Sequence, residues 1–387
     1  MTKNKTYLRL LYLLYAVLVA MAAVGVCGCS DDDGEVPAVI AKDVVVSFRV
    51  VTESQPQTRG FTPTPSDVVW GGEYDKDKGD DFDNTLLVEG FSVFVTNAEC
   101  TERYAEVKSL LCTKSEETTG EVTTVVYNFV GEISAADAQK LITAGAGKLH
   151  VVANMPSFKS DDMLNNNQPS FTLSGQPSDN FKAIPMWGVA TVNNFADMAK
   201  MVNPNDLFNA GEVWLLRSMA KVEIEIDSET DNNLITELVN ATVTGANGEG
   251  YLLPTIPTDW AGISETKNIK IDNTLNEYNS ETKASGTYTP SDNKKIIFYL
   301  PESQNTDGEN DIKINLNFKL GDTLDSGIIH FAKYDNGSIS TDKEYYNIVR
   351  NHLYRFSVRR KAQDTELTIK WAVCPMKTLQ SNIPDFE

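Results

Sequence analysis

The 387-residue sequence has only three histidines, His150, His330 and His352, and five cysteines. The histidines lie far apart, each inside a strand-like pattern, and no nucleophile elbow, phosphate-binding loop or pair of metal ligands accompanies them. Few groups are left that titrate near neutrality, so acid–base or metal-assisted catalysis has little to work with; a non-enzymatic chain without a cofactor is expected. His150 alternates outward from Leu149 and Val151 and reads as a surface residue, and His352 reads as a hydrogen-bonded structural one. Positive charge is scarce as well. Against 54 Asp and Glu stand 34 Lys and Arg, a net charge of −20. Such a surface repels nucleic acid and anionic membranes and keeps an exposed protein soluble. Long amphipathic helices are missing, and without strand–helix alternation parallel α/β folds are disfavoured. What is plentiful is Thr, Val, Asn and Gly in short alternating runs, with 14 Tyr, 16 Phe and 5 Trp, so an all-β chain with substantial cores is expected. Trp187, Trp214 and Trp371 read as core residues.

One long apolar run exists, at the start. Residues 1–28 carry Lys3, Lys5 and Arg9 with no acid, then Leu10 to Ala23 almost without a polar group, then small residues. This is the pattern of a secretory signal. It ends in Cys27-Gly28-Cys29, where Gly28 directly before Cys29 makes Cys29 the expected lipidated residue of a lipoprotein and Cys27 the competing one. A retained membrane anchor is the remaining alternative. The acidic run Ser30-Asp31-Asp32-Asp33-Gly34-Glu35 opens a tether over residues 29–42. In an oxidising compartment Cys100 and Cys112 are close enough in sequence to pair across a hairpin, leaving Cys374 odd; the sequence leaves that pairing open.

Length favours two domains, because single cores stop growing at about 250–300 residues. Asn203-Pro204-Asn205 and Asn209-Ala210-Gly211 form the best linker, so domains at 43–210 and 211–387 are expected. Residues 43–51 form a first apolar strand, followed by the Pro- and Thr-rich stretch Gln55 to Pro63. Within that stretch Arg59, followed by Gly60, is an accessible site for an Arg-specific protease. Further strands are expected at 90–95, 122–130, 148–153, 213–226, 296–300 and 312–320, with one helix at 135–144. Tyr74 to Asn84 begins like a calcium loop but has Gly79 at a ligand position and Asp80 where Gly is needed, so no calcium is expected. At the end, Tyr354, Phe356 and Val358 alternate with Arg355, Ser357 and Arg359, and Leu367, Ile369, Trp371 and Val373 alternate with Thr368, Lys370 and Ala372, a closing hairpin.

Taken in order, several short motifs resemble a known family. Thr58-Arg59-Gly60-Phe61, Val151-Val152-Ala153-Asn154, Ile184-Pro185-Met186-Trp187-Gly188, Leu215-Leu216-Arg217-Ser218-Met219-Ala220-Lys221-Val222, Tyr299-Leu300-Pro301-Glu302 and Ile348-Val349-Arg350-Asn351-His352-Leu353-Tyr354 are similar to motifs of the fimbrillins, lipoprotein-derived subunits of type V pili. The resemblance implies two transthyretin-like β-sandwiches and a surface-exposed outer-membrane lipoprotein. It also implies trimming at Arg59 that releases the first strand, and strand exchange with other fimbrillin subunits. The donor strand is then expected to carry Leu367, Ile369, Trp371 and Val373, with an internal strand as the alternative. Partners implied are other subunits, the outer membrane through the lipid, the protease and surface ligands of host or bacterial cells. A monomeric surface adhesin for glycan or host protein is the rival reading.

Overall fold

The computed structural model describes residues 42–51 and, with internal gaps of which the longest is 267–282, residues 81–375. The signal segment, Cys27, Cys29, the acidic tether, Arg59 and Gly60 lie outside the described residues. The first half runs β1 (Val44–Val51), α1 (Asp81–Asn84), β2 (Ser92–Thr96), β3 (Arg103–Glu106), β4 (Lys108–Thr119) and β5 (Val122–Ile133). It continues through α2 (Ala135–Ala144), β6 (Gly147–Ala153), α3 (Ser160–Leu164), β7 (Ser170–Thr172), β8 (Met186–Val192), β9 (Phe208–Trp214) and β10 (Leu216–Arg217). The chain is all-β in class, and its strands stack as two sandwiches.

In the first sandwich a four-stranded sheet, β4-β5-β1-β9, faces a five-stranded one, β10-β8-β6-β2-β3. The alternation in β1 explains the packing: Val44, Val46, Phe48 and Val50 enter the core, where they meet Val93, Val95, Leu149 and Val151 of the opposite sheet. The helix at Ala135–Ala144 forms where expected, with Ser134 Oγ accepting from the Asp137 N–H (3.2 Å) at its start and Gly145 at φ 71° closing it. The expected linker at Asn209-Ala210-Gly211 is instead part of β9, which pairs in parallel with β1. Its Asn and Gly mark a bulge rather than a boundary, and Gly211 takes φ 91°. The change of sheet comes later, between Arg217 and Met219.

The second half runs β11 (Met219–Ile226), β12 (Ile235–Thr244), β13 (Glu249–Tyr251), β14 (Gly286–Tyr288), β15 (Lys295–Pro301) and β16 (Lys313–Leu320). After these come β17 (Thr323–His330), β18 (Tyr334–Asp335), β19 (Ser338–Ile339), β20 (His352–Arg359) and β21 (Thr368–Pro375). Sheet β15-β11-β20-β21 packs on sheet β14-β12-β16-β17. Val222, Ile224, Phe298, Phe356 and Trp371 from one side meet Leu238, Val243, Leu316 and Phe318 from the other. β20 and β21 form the antiparallel closing hairpin, in register from His352 opposite Pro375 to Arg359 opposite Thr368. Its second face is drier than the alternation suggests: Ser357 is buried and Arg355 is held by Glu223.

A third apolar layer corrects the reading of His150. Phe94, Val152, Trp187 and Val189 point away from the first core and are covered by Leu252, Leu253 and Ile263 from the second half. β6 is therefore buried on both faces, and strand alternation, which reports two faces, does not say that one of them is wet. His150 is fully buried, stacked on Phe94 at 4.9 Å between ring centres, with Nε2 3.0 Å from Thr96 Oγ1 and Nδ1 accepting from Trp187 Nε1 at 3.4 Å. Burial first, then the charge of Lys148, lowers its pKa to about 3. The unfolded chain, with an ordinary imidazole near 6.5, binds more protons than the folded one between those values, so stability falls as pH drops from about 6.5 toward 3. We expect the unfolding free energy of His150→Phe to depend less on pH over 6.5–4 than that of the parent, by up to about 1.4 kcal/mol per pH unit. Parallel pH profiles for parent and variant would refute the assignment.

Candidate functional site

Two features stand out, the first strand and a polar seam between the sandwiches. β1 is an interior strand: it is antiparallel to β5 along all of Val44–Val51 and parallel to β9 on its other side. Phe48 stacks on Phe129 at 5.3 Å, and Ser47 Oγ reaches the Phe208 carbonyl (3.4 Å). At its exposed flank Arg49 lies 3.8 Å from Glu212.

The seam is assembled from the short motifs. α1 delivers Asp83, which is 1% exposed, over the outer face of β11 and β15. Its Oδ2 accepts from Lys221 Nζ (2.8 Å) and its Oδ1 from the Tyr299 hydroxyl (2.5 Å), while Arg217 Nε donates to its main-chain carbonyl (2.6 Å). Arg217 also donates to Asn351 Oδ1 (2.9 Å), and Asn351 can present that oxygen because it holds φ 58°, a conformation Asn tolerates. Lys221 lies 3.2 Å from Glu223, which is ringed by Arg355 at 2.8 Å and Lys295 at 3.1 Å. Burial would raise the Glu223 carboxyl, but Lys221, Arg355 and Lys295 together hold it below the ordinary carboxylate range. Apolar contacts continue the seam: Met219, Tyr299 and Leu353 of the second half belong to the first core.

Arg350 forms the other end of the seam. Its guanidinium donates to the carbonyls of Leu252 (2.8 Å), Tyr251 (3.0 Å) and Leu253 (2.8 Å) and to Glu302 Oε2 (2.7 Å). That grip pins the 251–253 segment, whose leucines form the lid over His150. His352 Nδ1 lies 2.8 Å from the Arg350 carbonyl, and burial lowers its pKa. Asn154, at φ 62°, accepts from the Leu87 N–H (2.8 Å) and donates to the carbonyls of Thr85 (2.8 Å) and Ile184 (2.7 Å), fastening the extended segment that follows α1. Fixed, buried groups of this kind orient chain segments, although Arg350 Nε and His352 Nε2 have no hydrogen-bond partner among the described residues. His330 stands apart, its Nδ1 2.6 Å from Asp311.

The expected site residues are dispersed. Leu367, Ile369, Trp371 and Val373 all lie in the chain's own second core, the last three on β21, which its sheet pairs with β20 alone, and Leu367 just before it. Cys100 and Cys112 are free thiols: Cys100 lies in the outer layer against His150, whereas Cys112 belongs to β4 in the opposite sheet. Of the calcium-like stretch, the described part carries Asp83, which the loop reading overlooked as an internal carboxylate. Its only sequence signal is Phe82 beside it, an aromatic in a charged run that packs 4.9 Å from Tyr299.

No family model and no curated protein matches the chain. Among solved structures it is similar to the C-terminally truncated tip fimbrial protein Mfa3 of Porphyromonas gingivalis, at 14% identity and a TM-score of 0.48, covering 86% of this chain and 99% of that one. It is also similar to a candidate cell adhesion protein of Bacteroides uniformis, at 12% identity and TM-score 0.43 over 86% and 97% of the two chains. A third is a candidate polysaccharide-binding protein of Bacteroides thetaiotaomicron, at 9% and 0.32 over 86% and 98%. Fimbrial and adhesion proteins are thus among the structures this chain resembles, and its function has to be read from its own residues.

Removing one member of a buried ion pair costs about 3–5 kcal/mol where it leaves the other uncompensated, and the low end applies to Asp83 because Lys221 keeps Glu223 at 3.2 Å. Asp83→Ala is therefore expected to lower the free energy of unfolding in urea by about 3 kcal/mol, and pairing it with Lys221→Met to recover part of that loss. A loss within about 0.5 kcal/mol, the range of ordinary surface substitutions, would mean that the seam does not hold the sandwiches together.

Proposed function

We propose that the chain is a structural subunit of a cell-surface pilus of the fimbrillin type. It is exported as a lipoprotein with Cys29 carrying the lipid in the outer membrane, trimmed after Arg59 by an Arg-specific protease, and joined to its neighbours by strand exchange in support of adhesion. The observation that carries this reading is the placement of β1. It is flanked on both sides by partners, β5 and β9, yet its link to the next described element passes through the stretch containing Arg59. A single cut there separates the strand covalently from the body it fills. Its departure leaves a slot between β5 and β9 lined by Tyr127, Phe129 and Val213, into which an alternating apolar strand of another subunit fits by backbone pairing. Each of Val44, Val46, Phe48 and Val50 contributes about 2 kcal/mol of burial, so an exchanged strand of equal quality is needed to replace it.

β21 is the candidate donor. It is an edge strand near the chain's end, paired with β20 alone in its sheet, so freeing it breaks one ladder where freeing β1 breaks two. One observation favours the rival, a monomeric surface adhesin: the four apolar side chains of this segment already complete a core within the same chain.

Three outcomes separate these readings. Arg59→Ala is expected to abolish the ladder of polymers on denaturing gels, and polymer from the parent to begin at Gly60; polymer beginning at Cys29 would overturn the processing step. Cys29→Ala is expected to leave an unlipidated precursor, and fatty-acid label on that variant would reassign the lipid. Ser357 and Lys370 face one another across β20 and β21, so Ser357→Cys with Lys370→Cys ties β21 to its own subunit, giving up the Ser357–Glu225 hydrogen bond and the Lys370–Asp227 ion pair but none of the apolar core. The tied subunit is expected to fold and to remain monomeric until the disulfide is reduced; normal ladders from it would remove β21 as donor.

A further inference from the structure

Sheet edges are where chains pair with chains, and proteins guard them with short strands, bulges, charge or cover. Most edges here are guarded. β3, β10 and β14 are four, two and three residues long. β4 and β9 are bulged. β15 ends at Pro301 with β13 and β14 against it, and β21 is covered where the Ile369 N–H donates to the Gly337 carbonyl (3.0 Å). β17 is different. It is eight residues long, pairs with β16 in unbroken register, and contains no Pro, Lys or Arg. Its outer face carries Leu324 and Ile328, 64% and 50% exposed, two of the four exposed large apolar side chains among the described residues.

We propose that β17 is a contact surface between two copies of this chain, which pair edge to edge and antiparallel about a twofold axis at Ser326. The backbone permits it. Gly321 and Asp322 form a two-residue turn, so the closing pair Leu320 and Thr323 is hydrogen-bonded and the alternate residues Leu324, Ser326 and Ile328 turn their N–H and C=O groups away from β16. His330 obeys the same rule, donating its N–H to the Tyr334 hydroxyl (2.7 Å) outside the ladder. The Ser326 N–H rests on the neighbouring Asp325 carboxylate (2.8 Å), a local contact that an incoming carbonyl replaces.

The side chains select the register and the occupant. With Ser326 opposite Ser326 of the second copy, Leu324 faces Ile328 twice, Asp325 faces Gly327 and Asp322 faces His330, so apolar meets apolar and no like charges oppose. Moving the axis to Asp325 or Gly327 places each leucine against a serine or a histidine. The inner face adds no obstacle, because Gly327 is closed by Leu367 and Asp325 is held 3.5 Å from Arg360 within the same chain. On a chain of net charge −20, a strand whose only acid is Asp325 adds little repulsion between two copies. This pairing is separate from strand exchange between subunits, since it uses neither β1 nor β21.

The full chain carrying Arg59→Ala, in which processing plays no part, provides the test. In sedimentation it is expected to be a concentration-dependent dimer, and Leu324→Lys with Ile328→Lys to raise the dissociation constant about tenfold or more with an unchanged melting temperature. Ser326→Cys, whose thiols meet on the axis, is expected to give a disulfide-linked dimer on mild oxidation, and Val202→Cys, at an exposed position off this strand, to give none. A monomer at all concentrations, a dimer untouched by the two lysines, or equal cross-linking at both positions would each overturn the proposal. None of these results depends on whether the chain polymerises by strand exchange.

Discussion

The Asp83 carboxylate, sealed from water between the sandwiches, is the constraint on which the rest of the arrangement depends. A buried carboxylate without partners is prohibitively unfavourable, so the chain must bring Lys221 and Tyr299 to it, and Arg217 to the carbonyl beside it, whenever it is folded. Those partners sit on β10, β11 and β15, which belong to three different sheet positions. Satisfying one carboxylate therefore fixes the exit of the first sandwich and the entry of the second together. Apolar burial at Met219, Leu353 and Tyr299 supplies attraction across the same seam, but apolar surfaces slide. The directional contacts choose one docking.

The same logic explains why motifs far apart in sequence share a type. Arg217, Lys221, Glu302, Arg350, Asn351 and Asn154 are polar residues set beside strongly apolar strands, and every one is buried in the structure. In strand alternation each looks like a residue on a wet face. Their real role is to satisfy main-chain carbonyls and one another where three layers meet, as Arg350 does with the carbonyls of 251–253. Polar groups in such places confer uniqueness on the packing more than net stability.

Strands with one buried face and regular pairing were legible from period alone, as β1, β5, β16, β20 and the hairpin to β21 demonstrate. So was α2, where Ser134 and Gly145 punctuate the ends. Three kinds of feature escaped. β12 was hidden because its bulges, after Ile235 and Leu238, put Ile235, Leu238, Ala241 and Val243 on one face at spacings that are not all two. β17 was hidden because Ser, Gly and Asp dilute its pattern, and β4 because it is an edge that gains its place from β5. His150 and the lid over Trp187 were hidden because a third layer arrives from residues about a hundred positions later in the chain, and Asp83 because Lys221 and Tyr299 reach it from further still; local periodicity carries no information about either.

Chain order then gives the seam a further consequence. Asp83 lies after Arg59, and Lys221, Tyr299, Arg217 and Asn351 come later still, so every member of the junction stays with the body of the subunit if the chain is cut at Arg59. β1 contributes to the first core and to two ladders but to none of the junction's hydrogen bonds. Losing it would cost apolar burial in one sandwich while leaving intact the polar contacts that hold that sandwich to its neighbour. Under the proposed strand exchange, a first strand that shares no residue with the orienting network could leave its slot while the domain arrangement stays fixed, the state that proposal requires between the loss of one strand and the acceptance of another.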